Sequence, residues 1–174
     1  MQLPRMDHTH LSEVATSELD RVLGFFPRAD AKGSVLLAID TGMLAVLASN
    51  LPASSSFDYW LLVTVVPVVS IAISLWHLYM GAFPSLEGGR GSLIYFREIS
   101  KRTEDRFIEE FTELSEEAYL KDILGQVWRN SEILKTKFDH ISTAFNWTAF
   151  AILPWVGSLV LLAVHYPSRG FLFK

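Results

Sequence analysis

The sequence predicts an all-α membrane protein, with a helical hairpin plus a third transmembrane helix that is continuous with a cytoplasmic helical bundle. Half of the 174 residues are hydrophobic and the mean hydropathy is +0.27. Three stretches, residues 33–51, 59–80 and 145–166, contain no lysine, arginine or glutamate. Each approaches the roughly 20 residues that a helix needs to cross the hydrocarbon core.

The first two apolar stretches are predicted to form the hairpin. The turn between them contains Pro52 and three consecutive serines, a composition that is typical of tight connections. The alternative is that all three stretches are buried core helices of a water-soluble protein. A soluble bundle of this size would show a polar face on each helix, and these stretches show none, so we favour membrane spans.

The distribution of lysine and arginine predicts the orientation. Four basic residues precede the first span, none lies in the hairpin turn, nine lie between the second and third spans, and two follow the third. We therefore expect a multi-pass protein of the inner membrane with its N-terminus in the cytoplasm. The predicted segments are a cytoplasmic arm (1–32), the transmembrane hairpin (33–80), a cytoplasmic helical region (81–144), the third span (145–166) and a short external tail (167–174).

Two helices are predicted between the second and third spans. Residues 92–114 read as one helix, with Glu98 and Arg102 spaced for an i,i+4 ion pair. The second helix carries apolar residues at alternating spacings of four and three, with one polar interruption, and runs into the third span without a break. The positions of this seam are Leu120, Leu124, Val127, Ser131, Leu134, Phe138, Ile141 and Phe145. Its partner is either another helix of the chain or a second subunit in a homo-oligomer.

Asp40 is the acidic residue expected deepest in the membrane. A carboxylate at that depth costs roughly 2.5–3.5 kcal/mol, so it should face other helices or water. One interpretation is a pore or proton-path group. The other is a neutral acid that is hydrogen-bonded to Thr41, Thr64 or a serine of a neighbouring helix. Pro67 and Pro154 lie inside the second and third spans and could leave backbone carbonyls for a partner.

Several classes of function are disfavoured by composition. The net charge of −4 gives no concentrated basic surface for a nucleic acid polymer. Cysteine is absent, which excludes thiolate nucleophiles and cysteine-ligated metals. We see no phosphate-binding loop, catalytic triad or metal-ligand cluster, so the sequence predicts neither an enzyme nor a metal site.

The order and spacing of three motifs resemble the Pycsar transmembrane effector family. The motifs are Ala29-Asp30-Ala31-Lys32-Gly33 before the first span, Ser92-Leu93-Ile94-Tyr95-Phe96 after the hairpin, and Gln126-Val127-Trp128-Arg129-Asn130-Ser131 with Lys137-Phe138 before the third span. The resemblance covers roughly residues 19–162. It implies an antiphage effector that senses cyclic CMP or cyclic UMP, made by a cognate cyclase, and then impairs the inner membrane.

Such a ligand needs cations for its phosphate and an apolar or aromatic wall for its base. On the long helix, Gln126, Asn130 and Lys137 lie within about 40° of one face, and Arg129 borders that face. Arg97 and Lys101 share a face of the preceding helix. These six residues are the candidate ligand site, although solvated side chains paired with nearby glutamates would look the same.

Asp30 and Lys32 are candidates for coupling the cytoplasmic part to the membrane. The simpler interpretation is that Lys32 extends to the lipid headgroups while Asp30 caps or pairs with a neighbouring helix. The resemblance implies a ligand-triggered membrane effector. The alternative is a membrane scaffold or assembly subunit that has no small-molecule ligand.

Overall fold

The computed structural model describes residues 8–51, 62–83 and 89–165, and all six regular elements in these ranges are α-helices. The helices are α1 (His8–Leu23), α2 (Phe26–Asn50), α3 (Leu62–Ala82), α4 (Phe96–Ile99), α5 (Glu104–Thr112) and α6 (Glu116–His165). The predicted hairpin turn after Leu51 and the external tail lie outside the described residues. The all-α fold class is confirmed.

Within the described residues, three helices are long and apolar enough to cross a membrane. They contain α2, α3 and α6, so the described part of each predicted span is helical except for Leu51, which follows the end of α2. The predicted continuity of the third span with the preceding helix is also observed, because α6 is a single helix of 50 residues.

The break between α1 and α2 lies at Gly24 and Phe25. The Gly24 amide donates to the Asp20 carbonyl at 2.9 Å, and the Phe25 amide donates to the Val22 carbonyl at 3.1 Å, which tightens the last turn of α1. Pro27 then occupies the first turn of α2, where its missing N–H removes no helical hydrogen bond.

The prediction of one helix over residues 92–114 is wrong. The chain forms a loop at Gly91–Tyr95, the short helix α4, a turn, and then α5. Gly91 has φ +78°, and Thr103 is extended at the start of α5. The Ser92 hydroxyl accepts hydrogen bonds from the amides of Ile94 and Tyr95 at 3.1 and 3.0 Å, and such local side-chain bonds compete with helix formation.

The chain divides into two compact units, which we call the polar unit (residues 1–28 and 84–136) and the apolar unit (residues 29–83 and 137–174). In the described part of the polar unit, the buried apolar residues are Ala15, Leu93 and Ile123. In the apolar unit, Met43, Ile71 and Ala151 bring α2, α3 and α6 together in one core cluster. The predicted points at which the chain leaves the bilayer remain predictions.

In the apolar unit, α6 forms a hydrogen bond to α3 at a carbonyl that a proline leaves without its helical donor. Pro67 has no N–H, so the carbonyl of Val63 one turn earlier lacks its helical donor. The hydroxyl of Ser158, itself almost fully buried, lies 3.1 Å from that carbonyl and 2.8 Å from the carbonyl of Pro154. The expectation that a kinked span leaves a carbonyl for a partner helix is met at Val63.

The buried face of α6 differs from the predicted seam. Leu124 and Phe145 belong to the seam, yet they are 50% and 59% exposed. The side chains that α6 buries are Ile123, Gln126, Ile141, Ala144, Thr148, Ala151, Ser158 and Leu162. Small and polar residues therefore form much of the contact face in the apolar unit, as expected where helices approach closely in a membrane.

Candidate functional site

The side chain of Arg129 forms the most unusual polar feature of the polar unit. Its Nη1 atom is buried and has no hydrogen-bond partner among the described residues. The guanidinium lies against two glycines: a Cβ built on Gly89 would be 1.8 Å from Nη1, and one on Gly125 would be 3.1 Å from Nη2. A buried charged donor without an acceptor is costly, so this guanidinium is suited to receive an anion.

The loop beside Arg129 is anchored to α6 by two side chains. The Asp122 carboxylate accepts hydrogen bonds from the Ser92 hydroxyl at 2.9 Å and from the Leu93 amide at 2.8 Å. The Gln126 side-chain amide donates to the Ser92 hydroxyl oxygen at 3.1 Å. Because Ser92 and Gln126 are both buried, these bonds hold the loop on the same helix that carries Arg129.

Arg102 holds the other side of the loop. Its guanidinium donates to three backbone carbonyls, those of Gly91 at 2.9 Å, Ser92 at 3.3 Å and Glu98 at 2.7 Å. Its Nε also donates to the Glu110 carboxylate at 2.6 Å, which ties the loop to α5. The predicted ion pair between Glu98 and Arg102 is wrong, because Arg102 pairs with Glu110 and reaches only the backbone of Glu98.

Two glutamates around this loop have lowered pKa values. Hydrogen bonds from the Lys101 ammonium and then from the Gly91 amide hold the pKa of Glu98 below its ordinary value of 4.5. Hydrogen bonds from the guanidinium groups of Arg106 and Arg102 likewise lower the pKa of Glu110. Both carboxylates are therefore ionised partners of these basic residues at neutral pH, and neither of them supplies an acceptor to the buried Nη1 atom of Arg129.

The other predicted ligand residues are distributed over both units. Gln126 is used in anchoring the loop, and Asn130 donates to the carbonyl of Gln126 at 2.8 Å. Lys137 belongs to the apolar unit, where its ammonium forms an ion pair with Asp30 of α2. A ligand role for Gln126, Asn130 and Lys137 stays a prediction. A ligand that binds these side chains would have to break their intramolecular contacts or add further contacts to them.

The two basic residues predicted on one helical face do not share one. Arg97 lies in α4, whereas Lys101 lies in the turn after that helix and pairs with Glu98. The reason is the early end of α4 at Ile99. Both side chains remain exposed on the polar unit.

Asp40 lies at the centre of the apolar unit and is fully buried. Its Oδ2 accepts a hydrogen bond from the Ser74 hydroxyl of α3 at 2.6 Å, and its Oδ1 accepts one from the Thr148 hydroxyl of α6 at 2.9 Å. The two hydroxyl oxygens are 2.9 Å apart. The Thr41 hydroxyl bonds instead to carbonyls of its own helix. Asp40 therefore joins α2, α3 and α6 through a serine and a threonine.

Lys32 and Asp30 have different environments, although both lie at the start of α2 in the apolar unit. Asp30 pairs with Lys137 of α6. The Lys32 ammonium is 5.5 Å from the ring centroid of Phe138, within cation–π range. The predicted pairing of Asp30 with a neighbouring helix is observed, and a coupling role for either residue stays a prediction.

The comparisons with known proteins agree with the sequence motifs. The family model described as the Pycsar effector protein domain matches residues 14–164. The chain belongs to this family. It is also similar to the Pycsar effector protein GmPycTM of Gulbenkiania mobilis, with 24% identity over 173 residues, covering 82% of this chain and 88% of that protein. No solved structure matches the chain.

Membership of the Pycsar effector family implies an antiphage membrane effector that is linked to a cyclic-nucleotide signal. The membrane context agrees with the three helices that are long and apolar enough to span a bilayer. The family is one of membrane effectors. Membership does not assign a chemical role to any individual residue of this chain.

Sequence reasoning misses the residues that shape the loop. By their spacing, Arg102 and Asp122 are ordinary charged positions of helices, and Ser92 enters only through a family motif. The available signal is the glycine-rich segment Gly88–Gly91 next to Ser92, which favours a compact loop whose backbone needs side-chain partners. Which distant side chains supply those partners depends on the tertiary fold.

Proposed function

We propose that this protein is an inner-membrane effector of antiphage defence whose polar unit binds cyclic CMP or cyclic UMP. Binding then impairs the integrity of the membrane. In this proposal the N-terminus and residues 81–144 are cytoplasmic, and the protein acts as a homo-oligomer. The cyclic nucleotide is supplied by a cognate cyclase, as the family suggests.

The buried, unpartnered guanidinium nitrogen of Arg129 is the observation that carries the proposal. A cyclic nucleotide has a phosphodiester anion with two free oxygens. Arginine is suited to such a group because its planar fork donates two hydrogen bonds at once. The guanidinium can pack against Gly89 only because that residue has no Cβ, so the position of Nη1 depends on both residues.

The base of the nucleotide needs an aromatic or apolar surface. Phe96 follows the anchored loop and is 64% exposed, and Trp128 precedes Arg129 and is 63% exposed. These are the two most exposed aromatic side chains of the polar unit among the described residues. We assign the phosphate to Arg129 and the base to one of these rings.

Coupling to the membrane is proposed to use α6. This helix carries Arg129 and, further along the same backbone, Thr148 and Ser158, which contact α2 and α3 in the apolar unit. A ligand changes the conformational equilibrium only by its difference in affinity for the two packings. We therefore expect binding to favour a packing in which the contacts of Thr148 and Ser158 are altered.

Calorimetry of the purified protein with cyclic CMP and with cyclic UMP tests the proposal. Arg129→Gln should weaken binding by about tenfold to a hundredfold, since hydrogen bonds to charged groups contribute about 1.5–3 kcal/mol. Arg129→Lys keeps the charge but loses the fork and should also bind more weakly. Gly89→Ala keeps Arg129 but places a Cβ where its guanidinium lies. It should therefore reduce the affinity for the nucleotide without a change in net charge.

Arg21→Gln is the matched control, because Arg21 is an exposed arginine of the same unit that pairs with Glu18. It should bind the nucleotide as the wild type does. Unchanged affinity in both Arg129 variants would contradict the proposed site. Absence of binding to either nucleotide would contradict the proposed ligand.

In cells, the effector should depolarise the membrane only when an active cyclase is co-expressed. A potential-sensitive dye reports this loss, and Arg129→Gln should abolish it at equal expression. A fusion at residue 110 tests the orientation, because a reporter placed there should be active in the cytoplasm. A periplasmic signal would contradict the proposed topology.

A scaffold or assembly subunit without a small-molecule ligand is the second candidate. Leu124 and Trp128 lie one turn apart on α6 and are both at least half exposed, which is the pattern of a helix face that contacts a protein. Replacement of Leu124 by glutamate should disrupt assembly in this case. Assembly without binding of either nucleotide would favour the scaffold.

A further inference from the structure

We infer that the apolar unit contains a binding site for an anionic phospholipid, in a groove between α2 and α6. The groove has a volume of about 630 Å³. Its lining residues are Ala31, Lys32, Val35, Leu36, Ile39, Phe138, Ile141, Ser142 and Phe145. The walls are therefore mostly aliphatic and aromatic, with a single charged side chain.

The shape of the groove suits an acyl chain. On α2 the lining runs from Lys32 to Ile39, which is about 10 Å along a helix at 1.5 Å per residue. On α6 it runs over a similar distance from Phe138 to Phe145. One leaflet of the hydrocarbon core is about 15 Å thick, so the groove can hold much of one chain that enters from the headgroup region.

The charge at the start of α2 specifies the headgroup. The Lys32 side chain is exposed, contacts the Phe138 ring, and has no ion-pair partner among the described residues. Lys137, the neighbouring cation in the apolar unit, is already paired with Asp30. Lys32 therefore precedes an apolar span without an ion-pair partner among the described residues, and the predicted start of that span at Gly33 places it where lipid phosphates are expected.

A second copy of the chain is the competing occupant. It would have to present a carboxylate to Lys32, but among the described acidic residues of the apolar unit Asp30 is engaged by Lys137, Asp139 has a partner of its own, and Asp40 is enclosed between the helices. An anionic lipid supplies both the apolar chain and the negative group without disturbing either pair. Charge complementarity therefore favours the lipid.

Native mass spectrometry of the purified full-length protein tests this site. The protein is incubated in detergent with equimolar phosphatidylglycerol and phosphatidylcholine that carry identical acyl chains. Wild-type protein should retain about tenfold more phosphatidylglycerol, as expected for one charge-assisted contact. Lys32→Gln should reduce this ratio to about one. Lys121→Gln, an equal change of charge at an exposed position of the polar unit, should keep it.

Ile39→Trp provides an independent arm, because it fills the groove and leaves Lys32 in place. It should reduce retention of both lipids by a similar factor, with helix content unchanged by circular dichroism. A wild-type protein without headgroup preference, or an equal loss of preference in Lys32→Gln and Lys121→Gln, would overturn the inference. So would an Ile39→Trp variant that changes the oligomeric state but retains both lipids as the wild type does.

Discussion

Replacement of Asp40 distinguishes the two roles considered for this residue. The carboxyl group, the Ser74 hydroxyl and the Thr148 hydroxyl form three oxygen–oxygen contacts of 2.6, 2.9 and 2.9 Å. Two of these contacts join the carboxyl group of α2 to hydroxyls of α3 and α6, and the Asp40 side chain is fully buried between the helices. We therefore predict that Asp40 is a structural link between the three helices and does not line an open path.

Asparagine is the appropriate test of this structural role, because it keeps the shape of the side chain. Its amide donates to one hydroxyl and its carbonyl accepts from the other, so Asp40→Asn retains all three contacts. Asp40→Leu removes the contacts to both α3 and α6. Hydrogen bonds between membrane helices contribute about 0.6 kcal/mol on average and up to about 1.7 kcal/mol. The loss of two should therefore cost about 1–3 kcal/mol, part of which is offset because burial of the acid is no longer required.

Thermal unfolding in one detergent, followed by circular dichroism, measures the effect. Asp40→Asn should unfold within about one degree of the wild type, while Asp40→Leu should unfold several degrees lower. Thr41→Val is the control, since the Thr41 hydroxyl bonds only to carbonyls of α2. The reasoning fails if asparagine destabilises the protein as much as leucine does, or if leucine leaves the unfolding temperature unchanged.

The proline contact, a close helix approach and one lowered pKa each give a further prediction. Ser158→Ala should lower the unfolding temperature, but by less in a Pro67→Ala background, because the alanine of that variant has the N–H that the Val63 carbonyl lacks in the wild type. A double-mutant cycle measures this coupling between Ser158 and Pro67. Gly81→Ala should destabilise the protein, since its Cβ would lie 3.2 Å from the His140 Cβ of α6, whereas Gly42→Ala, with open space around it, should not. The lowered pKa of Glu98 stabilises the fold above its ordinary value of 4.5, and this contribution is lost as the pH falls through the lower folded value. Stability measured by denaturant unfolding should therefore decrease as the pH falls below 4.5, and the decrease should be larger in the wild type than in Glu98→Gln.

The spans and the continuity of α6 could be predicted from the sequence. Long apolar stretches and helical periodicity are properties of consecutive residues, so no tertiary information is needed. The same holds for Pro67, whose missing donor is evident from the residue type alone. The hydrogen bond from the Ser158 hydroxyl to the Val63 carbonyl could not be predicted, because the two residues are on different helices.

The candidate site was predictable only in part. The sequence selects Arg129 as a cation on the border of a helical face. That its Nη1 atom is buried without a hydrogen-bond partner depends on the loop that packs against it, so it could not be predicted. The same pattern selects Gln126 as a ligand contact, which stays a prediction, but it does not reveal that this side chain also anchors Ser92. The predicted helix over residues 92–114 fails because Ser92, Asp122 and Arg102 compete for its backbone, which periodicity does not detect.

The length of α6 has a consequence for how its two ends communicate. Fifty helical residues extend about 75 Å, well beyond the roughly 30 Å of a bilayer core. Between Gly125 and Gly157 the helix contains no glycine, and its single proline is Pro154. Gly125 and Pro154 therefore bound a stretch of α6 that neither glycine nor proline interrupts. One residue inserted near position 137 should rotate everything downstream by about 100° and abolish signalling, whereas seven inserted residues restore the phase to within about 20°. Activity should therefore tolerate an insertion that lengthens α6 far better than an insertion that rotates its downstream part.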